Sequence, residues 1–185
     1  MRTITAVLLA FVPCIALAAP PVLVPAAGSR LGFETSYEGE PIRGRFDRFE
    51  ARIAFDPADL ANSRFDVVID LASADTGNEE RDEVLHGPEF FAVARLAEAR
   101  YEARRFRALP DGRFVAEGTL TLRGVSAAVP LTFRWEAGAA PVLEGTASVP
   151  RLAFGVGAGP DWKDTRSLPD AVAVSTRLVL AKPAP

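Results

Sequence analysis

Hydrophobic and polar positions alternate along most of the chain. Positions 49, 51, 53 and 55 are Phe, Ala, Ile and Phe, whereas 48, 50 and 52 are Arg, Glu and Arg. Successive side chains of a strand point to opposite faces, so a period of two predicts a strand with one apolar and one wet face. The same alternation runs through Phe65, Val67, Ile69 and Leu71, through Phe114, Ala116, Gly118, Leu120 and Leu122, and through Val129, Leu131, Phe133 and Trp135. It returns at Val172, Val174, Thr176, Leu178 and Leu180. Strands over 28–36, Tyr101–Phe106 and 142–154 bring the expected number to about eight. Phe55-Asp56-Pro57, Leu109-Pro110-Asp111-Gly112, Arg123-Gly124 and Glu136-Ala137-Gly138 supply turns between them. Phe46 and Phe49 are three apart, out of phase for one strand face, which predicts a bulge near Asp47-Arg48 that turns both rings inward.

One short helix interrupts the β pattern. Thr76-Gly77-Asn78-Glu79 has the Thr-x-x-Glu spacing of a capping box, and Glu79, Glu80 and Asp82 suit a first turn whose dipole favours negative charge. Gly87-Pro88 stops it. With only Val84 and Leu85 as its apolar face, it reads as a lid or plug, and the residues Phe90 to Val93 leave a second short helical turn open.

Residues 1–18 stand apart from this pattern. Arg2, an apolar run from Ile4 to Leu17 and the small-residue pattern Ala16-Leu17-Ala18 predict a Sec-type signal peptide cut before Ala19. The run is shorter than the roughly 20 residues a membrane-spanning helix needs. Removing residues 1–18 from the 185 leaves 167, with Cys14 gone and Arg2 lost, so the net charge moves from −3 to −4. An exported chain without cysteine relies on its core alone, and this length supports one domain, 19–185. Arginines cluster at 43, 45, 48 and 52 and at 100, 104, 105 and 107, but acidic residues are interspersed. This is a solvated strand face rather than the basic footprint of a nucleic-acid binder.

The fold class is all-β and antiparallel. A sandwich and a closed barrel both satisfy about eight strands with one apolar face each; the pattern leans towards the barrel, whose interior holds side chains or one small ligand.

Catalytic constellations are sparse. His86 is the single histidine, which excludes sites built on several imidazoles, and a Ser-His-Asp triad would have to use a residue beside Gly87-Pro88. Asp75, Glu79, Glu80, Asp82 and Glu83 are the carboxylates that could form an acid and base pair, although a charge run on a short helix normally faces water. Gly155-Val156-Gly157-Ala158-Gly159 leads into Pro160 and no helix, so it marks a sharp bend or bulge rather than a phosphate cradle. No metal site is expected. Apolar capture remains: twelve phenylalanines and two tryptophans, many on inward phases, make either a solid aromatic core or a cavity wall. Arg81, Asp82, Arg151 and Trp162 could orient a head group, and Arg81 with Asp82 could equally clamp the helix.

A set of fragments in order carries a resemblance. Gly44-Arg45-Phe46-Asp47-Arg48-Phe49, Phe55-Asp56-Pro57, Ile69-Asp70, Ser73, Asp75-Thr76-Gly77-Asn78, Arg81-Asp82, Leu85 and Pro88-Glu89-Phe90-Phe91 are followed by Gly118 to Val125, Arg151, Phe154 to Gly157 and Trp162. Over about residues 28–180 the chain resembles the YceI family of periplasmic, lipocalin-like, polyisoprenoid-binding proteins. The resemblance implies an elongated barrel whose apolar tunnel takes an isoprenoid chain, of a quinone or polyprenyl phosphate, without covalent chemistry. Tunnel residues expected on that basis are Phe33, Phe46, Phe49, Phe65, Val67, Ile69, Phe90, Phe91, Leu120, Phe133, Phe154 and Trp162, with Arg81, Asp82 and Arg151 as polar contacts. The chain departs from the family at Gly28, Tyr37 and Val84, where histidines are common, and at Ala97, where proline is. These departures resemble a subgroup that partners membrane b-type cytochromes. An unmatched sheet edge would leave room for a homodimer.

Overall fold

The computed structural model describes residues 19–184, so the expected signal peptide lies outside the described residues. The strands are β1 (Val24–Pro25), β2 (Arg30–Tyr37), β3 (Glu40–Phe46), β4 (Phe49–Ala54), β5 (Arg64–Asp70), β6 (Ala74–Asp75), β7 (Glu98–Ala108), β8 (Phe114–Leu122), β9 (Val125–Glu136), β10 (Val142–Pro150) and β11 (Ala171–Ala181). One helix, α1 (Glu79–His86), lies between β6 and β7.

All pairings are antiparallel, in the order β4-β5-β7-β8-β9-β10-β11-β2-β3-β6, with β1 on β11. Only Asp47-Arg48 separates β3 from β4, and only the 3-10 turn Leu71–Ser73 separates β5 from β6. Since β5 pairs with β4 and β6 with β3, each couple is one bent stave. Leu23, leading into β1, exchanges both backbone hydrogen bonds with Ile53 of β4 (2.8 and 2.9 Å), so the sheet curls round onto its own first strand. The fragments thus make eight staves, the number expected for a small lipocalin-like barrel.

The predicted bulge at Asp47-Arg48 is instead a corner between β3 and β4. The Arg48 amide donates to Ser73 Oγ (3.0 Å), the Asp47 amide to the Ser73 carbonyl (3.1 Å) and the Asp70 amide to the Arg48 carbonyl (3.1 Å). The corner gives the outcome the spacing required, with Phe46 and Phe49 both facing inward. A bulge does occur in β7, between Ala103 and Phe106, where two inward residues are again three apart. β3 was not among the expected strands because Pro41 and Gly44 dilute its pattern; Gly44 is obligatory, since a Cβ there would sit 2.2 Å from the Phe33 ring. Beyond its pairing with β6, β3 leaves one short edge, blunted by Pro41 and by the charges of Glu40 and Arg43.

The 142–154 strand ends at Pro150, and residues Arg151–Phe154 form a 3-10 turn closed by Gly155 at φ 70°. The glycine run is therefore the bend anticipated, at the end of the barrel. The helix cap also shifts: Asn78, not Thr76, is the N-cap, its side chain accepting from the Arg81 amide (2.9 Å). Phe90 to Val93 forms turns, with Ala92 at φ 54°, rather than a second helical turn. The clustered arginines are paired along the outer face, Arg43 with Glu34, Arg48 with Asp70 and Arg104 with Asp66.

The interior has two halves. At one end Phe55 packs edge-on against Phe114 and Phe133 (both 5.0 Å between centroids) and Trp135 (5.1 Å), with Phe65 and Phe106 alongside, a geometry aromatic rings prefer. At the other end, Leu71, Phe90, Phe91, Phe154, Val156 and Leu168 form a second cluster, much of it from loops rather than strands.

Candidate functional site

Between these halves lies a cavity of about 210 Å³. Its wall is almost wholly hydrocarbon. The inward phases build it: Leu31, Phe33 and Thr35 from β2, Phe49, Ala51 and Ile53 from β4, Phe65, Val67 and Ile69 from β5, and Leu120 and Leu122 from β8. Leu131, Leu143, Ala147, Val172, Val174 and Leu178 complete the far wall. No carboxylate lines it. Tyr101 sits at the waist, touching both halves, with its ring over Gly118. Its hydroxyl donates to the Ala116 carbonyl (3.3 Å), and burial pushes its pKa well above the ordinary 10.0.

Two loop segments cover one end. The end of α1 and the segment after it bring Leu85, Phe90 and Phe91 onto the cavity, with Phe91 against Phe46 (6.0 Å between centroids). The segment after β10 brings Val156 and Leu168. They are tied together: the Gly157 amide donates to the Glu89 carbonyl (2.7 Å), Trp162 Nε1 to Glu89 Oε2 (2.6 Å), and Trp162 packs on Phe90 (5.1 Å). Arg123, in the β8–β9 turn, donates to the carbonyls of Pro88 and Phe90.

Arg151 organises the second segment. It is 3 % exposed, and Nε donates to the Pro169 carbonyl (3.0 Å), Nη1 to those of Val156 (3.0 Å) and Gly157 (2.7 Å), and Nη2 to those of Trp162 and Leu168 (both 2.7 Å). A guanidinium has five N–H donors, and all five are engaged with backbone. Burial lowers its pKa, but an arginine remains charged. Gly157 must be glycine, with φ 57° and a Cβ position only 2.9 Å from Arg151 Nη1.

Nine of the twelve expected tunnel residues line the cavity: Phe33, Phe46, Phe49, Phe65, Val67, Ile69, Phe90, Phe91 and Leu120. Three do not. Phe133, 1 % exposed, is locked in the aromatic plug; Phe154, also 1 % exposed, is packed beneath the covering loop; Trp162 lies over Phe90 and Tyr37 on the outside of the cover. Of the two roles open to Arg81 and Asp82, the geometry matches the clamp. Arg81 donates through Nε to Thr76 Oγ1 (2.9 Å) and through Nη2 to the Thr76 carbonyl (3.2 Å), while Asp82 Oδ1 accepts from the Thr76 amide (2.9 Å) and hydroxyl (2.6 Å). The pair is a clamp on the helix start and does not reach the cavity. Arg151 touches the cavity wall but has no donor left for a head group. The wall also takes aliphatic residues outside the expected set, such as Leu31, Leu131 and Val174, which occupy the same inward phases of their strands.

Two residues named for other chemistries are held by local contacts. His86 Nε2 donates to the Ala74 carbonyl (3.1 Å), and Asp75 is held by Arg45 and the Gly77 amide. No group of three or more metal-ligating side chains occurs among the described residues. A larger hollow of about 760 Å³ on the outer face carries Arg30, Arg45, Asp47, Arg134, Glu144 and Arg177, but it opens to solvent and its carboxylates pair with its own arginines.

Comparison with known proteins agrees with this architecture. A UPF0312 protein of Vibrio parahaemolyticus is 31 % identical over 111 residues, 60 % of this chain and 58 % of the relative. One of Yersinia pestis is 38 % identical over 88 residues, 48 % of this chain and 45 % of the relative. The matched stretch thus spans about half the length of these curated relatives. Among solved structures, Burkholderia cenocepacia BcnA superposes with a TM-score of 0.78 at 27 % identity, covering 84 % of this chain and 98 % of that one. A polyisoprenoid-binding domain from Saccharophagus degradans superposes at 0.67 and 18 % identity, covering 89 % and 99 %, which shows the shared fold. The YceI-like domain matches residues 23–180, nearly the whole described chain, and the protein belongs to that family.

Proposed function

We propose that this protein is a non-catalytic carrier or store of an isoprenoid lipid, working in the periplasm after export. The observation that carries this reading is the apolar cavity between the two halves of the core. Protein interiors are packed so closely that voids beyond a single water are few. An empty apolar chamber of this size forfeits the dispersion contacts of every side chain around it. A guest chain restores them, and each methylene it brings out of water gains about 0.8 kcal/mol. Ten such groups give about 8 kcal/mol, the micromolar range before ordering costs are subtracted.

Family membership supports the reading, as does the likeness to a structure described as a polyisoprenoid-binding domain. Arg2 and the apolar run from Ile4 to Leu17, with the Ala16-Leu17-Ala18 pattern, support export. A quinone as the lipid, and a membrane b-type cytochrome as the partner, are the finer form of the reading, motivated by the replaced histidine positions Gly28, Tyr37 and Val84. Native mass spectrometry of protein purified from periplasm, followed by organic extraction, tests the whole. A co-purifying prenyl chain is the expected result. Protein that is empty and takes up no prenyl lipid from detergent micelles would overturn it.

A further inference from the structure

Thr35 Oγ1 is sealed from solvent and is the only buried side-chain polar atom without a hydrogen-bond partner among the described residues. Thr35 stands on the inward phase of β2, after Leu31 and Phe33, and lines the cavity. It faces Ile42 across the β2–β3 ladder, and the pairing of Glu34 with Ala173 sets it beside Val172, another wall residue. The other hydroxyls on the wall are engaged, Thr176 with the Arg30 carbonyl (3.2 Å) and Tyr101 with the Ala116 carbonyl (3.3 Å). Every donor of Arg151 is engaged as well.

A buried hydroxyl with no partner opposes folding, and a valine of the same shape would remove the penalty. Thr35 also has no hydrogen bond to break when it turns. Rotation about its Cα–Cβ bond by one staggered step carries Oγ1 to the position that Cγ2 or the β-hydrogen holds, so the hydroxyl can turn to meet a guest in the cavity. Its place in the fold gives it a direction. Two residues on, Tyr37 packs against Trp162 (5.9 Å between centroids), and the Glu38 amide donates to the Ser167 carbonyl (2.8 Å), so Thr35 lies at the covered end rather than beside the aromatic plug.

We propose that Thr35 is the head-group contact of the cavity, holding one neutral oxygen, a carbonyl or hydroxyl, of a prenyl lipid whose chain runs towards Tyr101 and the aromatic plug. The proposal rests on the lipid-binding reading above and narrows its ligand class. A phosphate head would bring several ionised oxygens into a wall that offers one free hydroxyl and no free cation, and an unpaired buried charge is far more costly than an unpaired hydroxyl.

The test compares wild type with Thr35→Val for three probes: geranylgeraniol, geranylgeranyl phosphate and squalene, which has no oxygen. A neutral hydrogen bond corresponds to about a two- to twelve-fold change in affinity. The variant is expected to bind geranylgeraniol weaker by that factor, to bind squalene unchanged within two-fold, and to melt at the same or a higher temperature. Wild type is expected to prefer geranylgeraniol to its phosphate. Equal weakening for squalene would make Thr35 a packing residue and overturn the proposal, as would unchanged affinity for geranylgeraniol. A preference for the phosphate would overturn the neutral-head assignment while leaving lipid binding intact. Failure of wild type to bind all three would remove the lipid reading itself and this proposal with it.

Discussion

Trp162 Nε1 donates to Glu89 Oε2 at 2.6 Å and so joins the two loop segments that cover the cavity. Glu89 lies on the segment that brings Phe90 and Phe91 to the cavity, and Trp162 on the one that brings Val156 and Leu168. The bond crosses 73 residues of sequence, so it holds the cover without stabilising either segment by itself. The contact is solvent-exposed, which limits its net value to about 1 kcal/mol.

Glu89→Ala is therefore expected to fold normally and to release a bound prenyl lipid about five-fold faster, a factor corresponding to about 1 kcal/mol. Stopped-flow displacement of a fluorescent prenyl probe measures the rate. An unchanged rate would mean that the cover does not gate the cavity.

Arg151→Met is expected to be among the most damaging single changes. It leaves five backbone carbonyls without their donor in the segment from Val156 to Pro169. Loss of such a network costs about 3 kcal/mol or more, which for a domain of this size lowers Tm by roughly 6 to 12 °C. Arg151→Lys, with three donors on a point charge, should recover only part of it. A thermal melt within 2 °C of wild type for Arg151→Met would show that the loop does not depend on this hub.

Most of the barrel was legible because period-two alternation reports a half-buried strand directly: β8 runs over the residues the alternation marks, Phe114–Leu122. β3 was not, since Pro41, Gly44 and its arginines hide an alternation in which Ile42 and Phe46 are the only apolar inward residues. Phe46 and Phe49 announced a change of phase but not its form, because a bulge and a corner shift the phase alike; the hydrogen bonds of Ser73 that make it a corner come from 25 residues away. The role of Arg151 was not readable for the same reason, and for Arg81 and Asp82 the sequence left a helix clamp and a head-group contact equally open. A charged residue in an apolar context marks a polar need, but whether backbone or a ligand meets it depends on contacts remote in sequence.

Gly118→Ala tests the waist of the cavity. A Cβ there would lie 2.1 Å from the Tyr101 ring, so the phenol must swing into the cavity or β7 and β8 must part. Overpacking of this kind costs about 1 to 3 kcal/mol. The substitution should lower Tm and weaken prenyl-chain binding together, and adding Tyr101→Leu should recover much of both, a non-additivity expected of touching residues. Additive effects in the double variant would mean that the ring does not rest on this glycine.

Tyr101 also predicts the response to alkali. Burial raises its pKa above 10.0, so the folded protein keeps the phenol proton where the unfolded chain gives it up. The sign follows by linkage: this contribution is fully present below pH 10 and is lost as pH rises beyond it, by up to about 1.4 kcal/mol per pH unit. The chain has two tyrosines, so Tyr37→Phe leaves Tyr101 as the only source of phenolate absorbance. In that variant phenolate should stay absent while the fold persists and then emerge together with the loss of near-UV circular dichroism. A bound prenyl chain should move that joint transition to higher pH, because it excludes water from the waist and binds only the folded state. A reversible phenolate titration near pH 10 in the folded protein would place the Tyr101 hydroxyl in water and the cavity in open contact with solvent.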